Sequence, residues 1–263
     1  MHSVFGRPLL AFDTGTELLS VGLQLADGRQ FLRESPGGAA ASASLIPTLL
    51  ELLAEGGLAP AALGAVVFGQ GPGSFTGLRT ACAVAQGFAY GAGLKVVPVP
   101  SLLAVAEDAR LQHGAEAVLA TLDARMDEVY FAAYRWQPDA ARWTETASAR
   151  VAAPEDVTAP ASPGGDSAAG YVLAGNARAV YAGRVAPELA RSVSARPNAA
   201  ALLSLAPGLI AAGVLLEPAS ALPLYVRDKV ARTTAEREAD RLAQAAASES
   251  AWPPRGGASR AAT

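Results

Sequence analysis

Gly69-Gln70-Gly71-Pro72-Gly73-Ser74-Phe75-Thr76-Gly77-Leu78-Arg79 follows the apolar stretch Ala65-Val66-Val67-Phe68 and precedes a long run of small residues. The order reads as strand, glycine turn, helix. Glycine admits positive φ and the close approach of another group, and Pro72 fixes one turn residue. A helix start of this kind gathers backbone N–H groups where an anion can sit. Ser74 or Thr76 is placed to cap the first helical turn. The same residues serve equally as a tight strand-to-helix turn with no ligand. Three better-defined motifs do not fit. A P-loop needs Lys and then Ser or Thr after its last Gly, whereas Leu78 and Arg79 follow Gly77. The glycines miss the dinucleotide spacing, and Ser74 lacks the G-x-S-x-G setting of a nucleophile elbow.

Upstream, Leu9-Leu10-Ala11-Phe12 reads as an apolar strand ending at Asp13-Thr14-Gly15-Thr16. Ser20 to Leu25 is a second strand, Ala26-Asp27-Gly28 a hairpin turn, and Arg29 to Glu34 a third strand, closed by Ser35-Pro36-Gly37-Gly38. Ser42 to Glu55 is a helix ended by Gly56-Gly57, with Pro47 in or near its first turn. It carries one apolar stripe of Leu45, Leu49 and Leu52 and another of Ile46, Leu50 and Leu53, a wider arc than covering one sheet requires. Downstream of the glycine run, Thr76 to Tyr90 is helical. Ala81, Ala85 and Ala89 recur every fourth residue, as do Ala83, Gly87 and Gly91. Small residues at that period let another helix approach closely, so that one row could face the sheet and the other a partner; the alternative is that both rows pack inside the domain or reflect the abundance of Ala.

A strand over Leu94–Val99 and a helix over Leu102–His113, capped by Ser101, lead into a second half that repeats the first. Ala117–Leu122 is a strand ending in Asp123-Ala124-Arg125, and Val129–Trp136 is the returning strand. Arg150–Gly170 is rich in Pro, Ala, Gly and Ser and reads as a loop. Tyr171–Ala174 is strand-like and closed by Gly175-Asn176, and Ala199–Ala212 is a further helix. From about Thr233 the composition is too poor in large apolar residues to order itself, so we expect a disordered tail over 231–263. The division expected is a lobe over 1–104, a second over 105–230, and that tail.

The chain has 263 residues, a net charge of −3 and one cysteine, Cys82, which reads as a core thiol. That balance disfavours strong independent nucleic-acid binding. A single cysteine suits a reducing compartment. With no basic-then-apolar leader and no run long enough to span a bilayer, the expectation is a cytoplasmic protein that meets no membrane. The two histidines, His2 and His113, stand alone, which leaves neither an imidazole metal site nor a Ser-His-Asp triad. Asp13 and Asp123 end matching strands. In a two-lobed cleft they could hold a hydrated cation near phosphates, while the ordinary use of Asp there is to accept backbone hydrogen bonds in its own turn. Arg79 sits in a first helical turn, where positive charge is disfavoured. A salt bridge within the domain is its ordinary explanation.

Asp13-Thr14-Gly15-Thr16, the glycine run, Leu122-Asp123-Ala124-Arg125-Met126-Asp127-Glu128-Val129-Tyr130 and Leu224-Tyr225-Val226-Arg227 come in an order that resembles the TsaB family. These are the bacterial tRNA threonylcarbamoyladenosine biosynthesis proteins of the wider glycoprotease-like group. The resemblance runs from about Leu9 to Val230. It implies an α/β actin-like ATPase fold of two RNase H-like lobes. It also implies a non-catalytic subunit that pairs with the related TsaD and with the ATPase TsaE. Their assembly transfers a threonylcarbamoyl group to N6 of adenosine 37 in tRNAs reading codons that begin with A. ATP and a metal then belong to the partner subunits, tRNA is met only through the complex, and this chain has no cofactor of its own. TsaD holds its metal on a His-x-x-x-His helix, and the matching segment here, Ala39 to Pro47, has no His. The family's subunit contact maps onto the helices Ser42–Glu55 and Thr76–Tyr90. Interface candidates are therefore Leu45, Leu49, Leu52, Leu78, Ala81, Cys82, Ala85, Gly87 and Phe88. Asp13, Gly15, Thr16, Asp123 and Gly175 would mark a vestigial nucleotide site. Self-pairing through the same helices is a further arrangement. The competing class is an enzyme acting alone, an actin-like phosphotransferase or a glycoprotease-type hydrolase.

Overall fold

A computed structural model describes residues 4, 6–38, 41–161 and 170–227. The tail expected over 231–263 lies outside the described residues, as do residues 162–169 of the expected 150–170 loop. The chain divides into Met1–Val226 and Arg227–Thr263; every element below belongs to the first unit, and of the second only Arg227 is described.

Two five-stranded sheets share one topology. In the first, β1 (Leu9–Asp13), β2 (Leu18–Gln24) and β3 (Gln30–Pro36) form an antiparallel meander. β4 (Ala65–Gly71) and β5 (Lys95–Pro100) add in parallel on the other side of β1, giving the order β3-β2-β1-β4-β5. The second sheet repeats this with β6 (Ala117–Asp123), β7 (Val129–Gln137), β8 (Arg142–Ala152), β9 (Val172–Gly175) and β10 (Ser192–Val193) in the order β8-β7-β6-β9-β10. The expected duplication, an apolar strand with an Asp at its end and a returning strand, is thus a duplication of whole sheets. The architecture is the actin-like pair of RNase H-like lobes.

Alternation along the strands decides what covers each face. Leu10, Phe12, Val66 and Phe68 point to one side of the first sheet, under α1 (Ala41–Glu55) and α2 (Phe75–Ala92). Leu9, Ala11, Ala65 and Val67 point to the other, under α5 (Ala199–Ala211) and Ala104 of α3 (Ser101–His113). Strands covered on both sides are apolar throughout, which is why β1 and β4 are continuous runs rather than alternating ones. On its opposite face α3 presents Leu102, Val105, Ala106 and Ala109 to the second sheet. The far side of that sheet is closed by Val157, Val185 and Leu189, with Ala177 of α4 (Ala177–Tyr181).

Several expectations change. The boundary expected at 104/105 falls inside α3, and α5 packs on the first sheet although it lies in the expected second lobe. Leu216, further along the chain, bridges to Val96 of β5. β3 continues through Ser35 and Pro36 because it is an edge strand, where proline forfeits no ladder bond. β8 runs from Arg142 into the segment expected to be a loop. Ser74 is the N-cap of α2 but makes no side-chain cap bond. Ser101, expected to cap α3, is instead its first residue, and its hydroxyl turns to Asp13.

Joining the layers is a buried carboxylate, Glu107 of α3. Arg110 donates to it through Nε (2.9 Å) and Nη2 (2.7 Å), Trp143 of β8 through Nε1 (2.8 Å), and Ser204 of α5 through its hydroxyl (2.5 Å). Burial pushes the Glu107 carboxyl up, but these hydrogen bonds and the Arg110 charge hold it below its usual range.

Candidate functional site

The end of β1 and the glycine run meet turn against turn. Asp13 is 1% exposed. Its Oδ1 accepts the Gly15 N–H (2.7 Å), and its Oδ2 accepts the Ser101 hydroxyl (3.4 Å), which in turn accepts the Gly71 N–H (3.2 Å). The Thr14 hydroxyl donates to the Gly77 carbonyl (2.7 Å), and the Ser74 N–H donates to the Gly15 carbonyl (2.8 Å). The glycines are what let these backbones touch. A Cβ at Gly69 would overlap the Asp13 carboxylate, one at Gly77 the Thr14 carbonyl, and one at Gly73 would lie 2.6 Å from the Gly15 carbonyl oxygen. Two donors of the run, the Gly71 and Ser74 N–H groups, are committed to the chain itself, to Ser101 and Gly15, as in a tight turn.

Burial drives the Asp13 carboxyl up to about 6, against the opposing hydrogen bonds from Gly15 and Ser101. A carboxylate enclosed in this way, with Gly69 pressed against it, does not fit the role of a solvent-side ligand for a nucleotide-bound cation. Thr16 bonds only locally, through its hydroxyl, with Leu18.

Asp123 in the second lobe is held differently. Its Oδ1 accepts the Arg125 N–H (2.8 Å) and the Tyr181 hydroxyl (2.6 Å), and its own N–H donates to Asn176 Oδ1 (2.8 Å). Beyond it Arg125, Met126 and Asp127 all adopt left-handed φ of 58–60°. Arg184 clamps that turn with two 2.8 Å bonds to Asp127 and a further ion pair to Glu155. Gly175 makes no ligand cradle either; its φ of +124° brings β9 against the Thr121 carbonyl, where a Cβ would collide. Each Asp serves its own turn. Among the described residues no cluster of three His, Cys, Asp or Glu is arranged to hold a metal.

The helix faces require a correction. Leu45, Leu49 and Leu52 of α1 and Leu78, Ala81, Cys82 and Ala85 of α2 are buried. Seven of the nine interface candidates therefore cannot form a contact surface: six pack in the core beneath the two helices, and Leu78 lies against the glycine run. Phe88 is half-buried against the same core, and Gly87 is exposed. Outward instead face Ile46 and Leu50 of α1, 47% and 50% exposed, and Ala83, Gly87, Gly91 and Tyr90 of α2, the last 83% exposed. A Cβ at Gly87 or Gly91 would meet nothing within 4 Å. The two small-residue rows of α2 thus divide, one inward and one outward.

Among the described residues Arg79 makes no ion pair, contrary to expectation. Its guanidinium lies 3.8 Å from the centroid of the Phe75 ring, and its Nε donates to the Tyr225 hydroxyl (3.1 Å). Tyr225 arrives on a strap, 221–226, fixed to α2 and the glycine run. Leu224 N–H donates to the Gln70 carbonyl (2.8 Å), Gln86 to the Ala221 carbonyl (2.8 Å), and the Cys82 thiol to that same carbonyl (3.3 Å). Two of the sequence segments quoted above, far apart in the chain, are neighbours here.

A family model described as TsaD, tRNA N6-adenosine threonylcarbamoyltransferase, matches residues 37–253. The tRNA threonylcarbamoyladenosine biosynthesis protein TsaB of Haemophilus influenzae is 34% identical over 228 residues, spanning 84% of this chain and 94% of that one. TsaB of Escherichia coli is 39% identical over 127 residues, 48% of this chain and 54% of that one. Among solved structures, YeaZ from Pseudomonas aeruginosa superposes with a TM-score of 0.76 at 37% identity, covering 83% of this chain and 99% of that one. A second solved structure, of an uncharacterized protein with similarity to the peptidase YeaZ from Pseudomonas aeruginosa, gives 0.77 at 37% identity over 84% of this chain and 100% of that one. Similarity in sequence and in fold over most of the chain agrees with the family match: this chain belongs to the TsaB family of tRNA threonylcarbamoyladenosine biosynthesis proteins, within the wider TsaD-like group.

Proposed function

We propose that this protein is the non-catalytic scaffold subunit of a threonylcarbamoyl-transfer complex acting on adenosine 37 of tRNA. In this reading it docks a TsaD-family subunit through the outward faces of α1 and α2 and supports a TsaE-type ATPase in the same assembly. One observation carries the reading: α2 turns a row of Ala83, Gly87 and Gly91 to solvent, beside exposed Ile46, Leu50 and Tyr90. Exposed small residues flanked by large apolar ones allow a second helix to approach to backbone contact, and they bury little unless something does. Both strand-end carboxylates are used within their own turns, which agrees with a supporting role. ATP and metal chemistry then fall to the partners, and tRNA is reached through the complex.

The test is association with the TsaD-family protein of the same organism, followed by size exclusion at micromolar concentration. A single co-eluting peak is expected. Gly87→Leu should abolish it while leaving the monomer folded, since the added side chain enters open space in the free chain and a packed contact in the complex. Two separate peaks for the unaltered pair would refute the proposal.

A further inference from the structure

The strongest feature outside that reading is the cluster of Phe75, Arg79 and Tyr225. It is built on the surface, with Phe75 48% and Tyr225 50% exposed, and Arg79 also exposed. The rings lie 5.9 Å apart, tilted by 36°, with the guanidinium over Phe75 and tied to the Tyr225 hydroxyl. Among the described residues no carboxylate lies within ion-pair distance of Arg79. A cation one turn into a helix works against the helix dipole, and this one is nonetheless fixed in position by two aromatic side chains from distant parts of the chain. Its Nε is occupied by Tyr225, and among the described residues the outer edge of the guanidinium, with the four N–H groups of Nη1 and Nη2, makes no hydrogen bond or ion pair. Planar N–H pairs held in that way match the two oxygens of a carboxylate.

From this geometry we infer that Arg79, oriented by Phe75 and Tyr225, is an ion-pair anchor for an Asp or Glu side chain on a helix of the partner subunit. The inference rests on the docking reading above and adds the charge that fixes its register. Position favours a protein carboxylate over a nucleic-acid phosphate. Arg79 shares the exposed arc of α2 with Ala83, Gly87 and Tyr90, so a helix laid along the small residues passes over it. Phosphate-backbone binding needs several cations together, whereas the neighbouring exposed residues Ser74, Thr76 and Ala83 are uncharged. A buried contact patch with one oriented cation sets alignment and discriminates between partners more than it adds raw affinity.

The experiment is titration calorimetry of the full chain with the TsaD-family protein of the same organism, at low and at high salt. Variants are Arg79→Ala, Arg79→Lys, Tyr225→Phe and the docking control Gly87→Leu, each checked by thermal melting. Arg79→Ala should weaken binding roughly tenfold or more and remove most of its salt dependence. Arg79→Lys should recover only part, because an ammonium cannot pair in the bidentate manner. Tyr225→Phe, which keeps the ring and loses the orienting hydroxyl, should give a smaller loss and covers the case in which Arg79→Ala melts early. Wild-type affinity and salt dependence in Arg79→Ala, with Gly87→Leu still blocking association, would overturn the anchor and leave the docking reading standing. Absence of binding by the unaltered chain would overturn both. A loss of tRNA retention by Arg79→Ala with protein affinity unchanged would also overturn the anchor, assigning the guanidinium to phosphate.

Discussion

Replacing Asp13 by Asn tests how the first lobe is closed. The carboxyl is 1% exposed and is pushed by burial from 3.8 to about 6. Ionising it inside the fold is therefore unfavourable, and the sign is the reverse of the usual acidic residue. A folded value above the unfolded one means that stability is fully present below pH 3.8 and is lost as pH rises through about 6. A shift of roughly two units corresponds to about 3 kcal/mol at neutral pH. Asparagine has the shape of the neutral acid. Its oxygen can keep the Gly15 N–H bond, and its amide can donate to the Ser101 hydroxyl, which already accepts from Gly71.

The Asn variant should thus match the wild type near pH 4 and exceed it by about 3 kcal/mol at pH 7, equivalent to roughly 6–12 °C in melting temperature for a domain of this size. Urea unfolding of both proteins across that range reads the difference directly, and subtraction removes the other carboxylates common to both. Asp27, Asp127 and Glu155 are held low and act in the opposite sense. A wild-type advantage that grows with pH would refute the reasoning, because it would mean that the charged form is stabilised in the fold. A catalytic Asp13 would also be exposed by this variant, through loss of any ATP hydrolysis by the purified chain.

Glu107→Ala should cost about 3–5 kcal/mol in urea unfolding, since it leaves Arg110, Trp143 and Ser204 facing an empty carboxylate position; a loss below about 1 kcal/mol would show that the lobes do not depend on this carboxylate. Gly69→Ala should destabilise by about 1–3 kcal/mol or more, because its methyl runs into the Asp13 carboxylate. Gly87→Ala, on the open side of α2, should be neutral or stabilise by up to about 1 kcal/mol through helix propensity, and equal effects at the two positions would contradict the packing described. Arg184→Ala removes the clamp on the left-handed turn, so amide hydrogen exchange over 124–128 should accelerate with little change elsewhere; unchanged protection there would show that the turn holds itself.

Central features of the fold were legible because they answer to local rules. β1 and β4 are apolar throughout, since both faces are covered, and the Asp at the end of β1 and of β6 marks the start of each half. β8 was missed because an edge strand facing solvent carries Thr, Glu, Ser and Ala, the composition of a loop. β10 has two residues and no pattern to find. On α1 both apolar stripes are plausible core faces. Only the packed structure separates Leu45, Leu49 and Leu52, which lie inside, from Ile46 and Leu50, which do not. Seven of the nine interface candidates lie inside for that reason: periodicity counts stripes but does not say which one the sheet takes. The partnership of Arg79 with Tyr225, 146 positions apart, is a tertiary fact with no local signature.

The two lobes began from one plan and now use their strand-end aspartates differently, and the contrast explains the glycine run. In the second lobe Asp123 faces a turn that must be clamped by Tyr181 and Arg184, because Arg125, Met126 and Asp127 hold left-handed conformations that cost L-residues energy. In the first lobe no such clamp is needed. Gly69, Gly73 and Gly77 bring the backbone of the run against Asp13, Thr14 and Gly15, and two hydrogen bonds join the turns, from the Thr14 hydroxyl to the Gly77 carbonyl and from the Ser74 N–H to the Gly15 carbonyl. A glycine-rich strand-to-helix turn is therefore insufficient evidence of anion binding; what decides is whether its N–H groups face space or another turn. Here the Gly71 and Ser74 N–H groups bond to the chain itself. Closing that turn also seats α2 firmly on the sheet, which fixes the outward direction of Gly87, Tyr90 and Arg79. Thus the same glycines that close turn on turn in the first lobe position the exposed face on which the proposed docking rests.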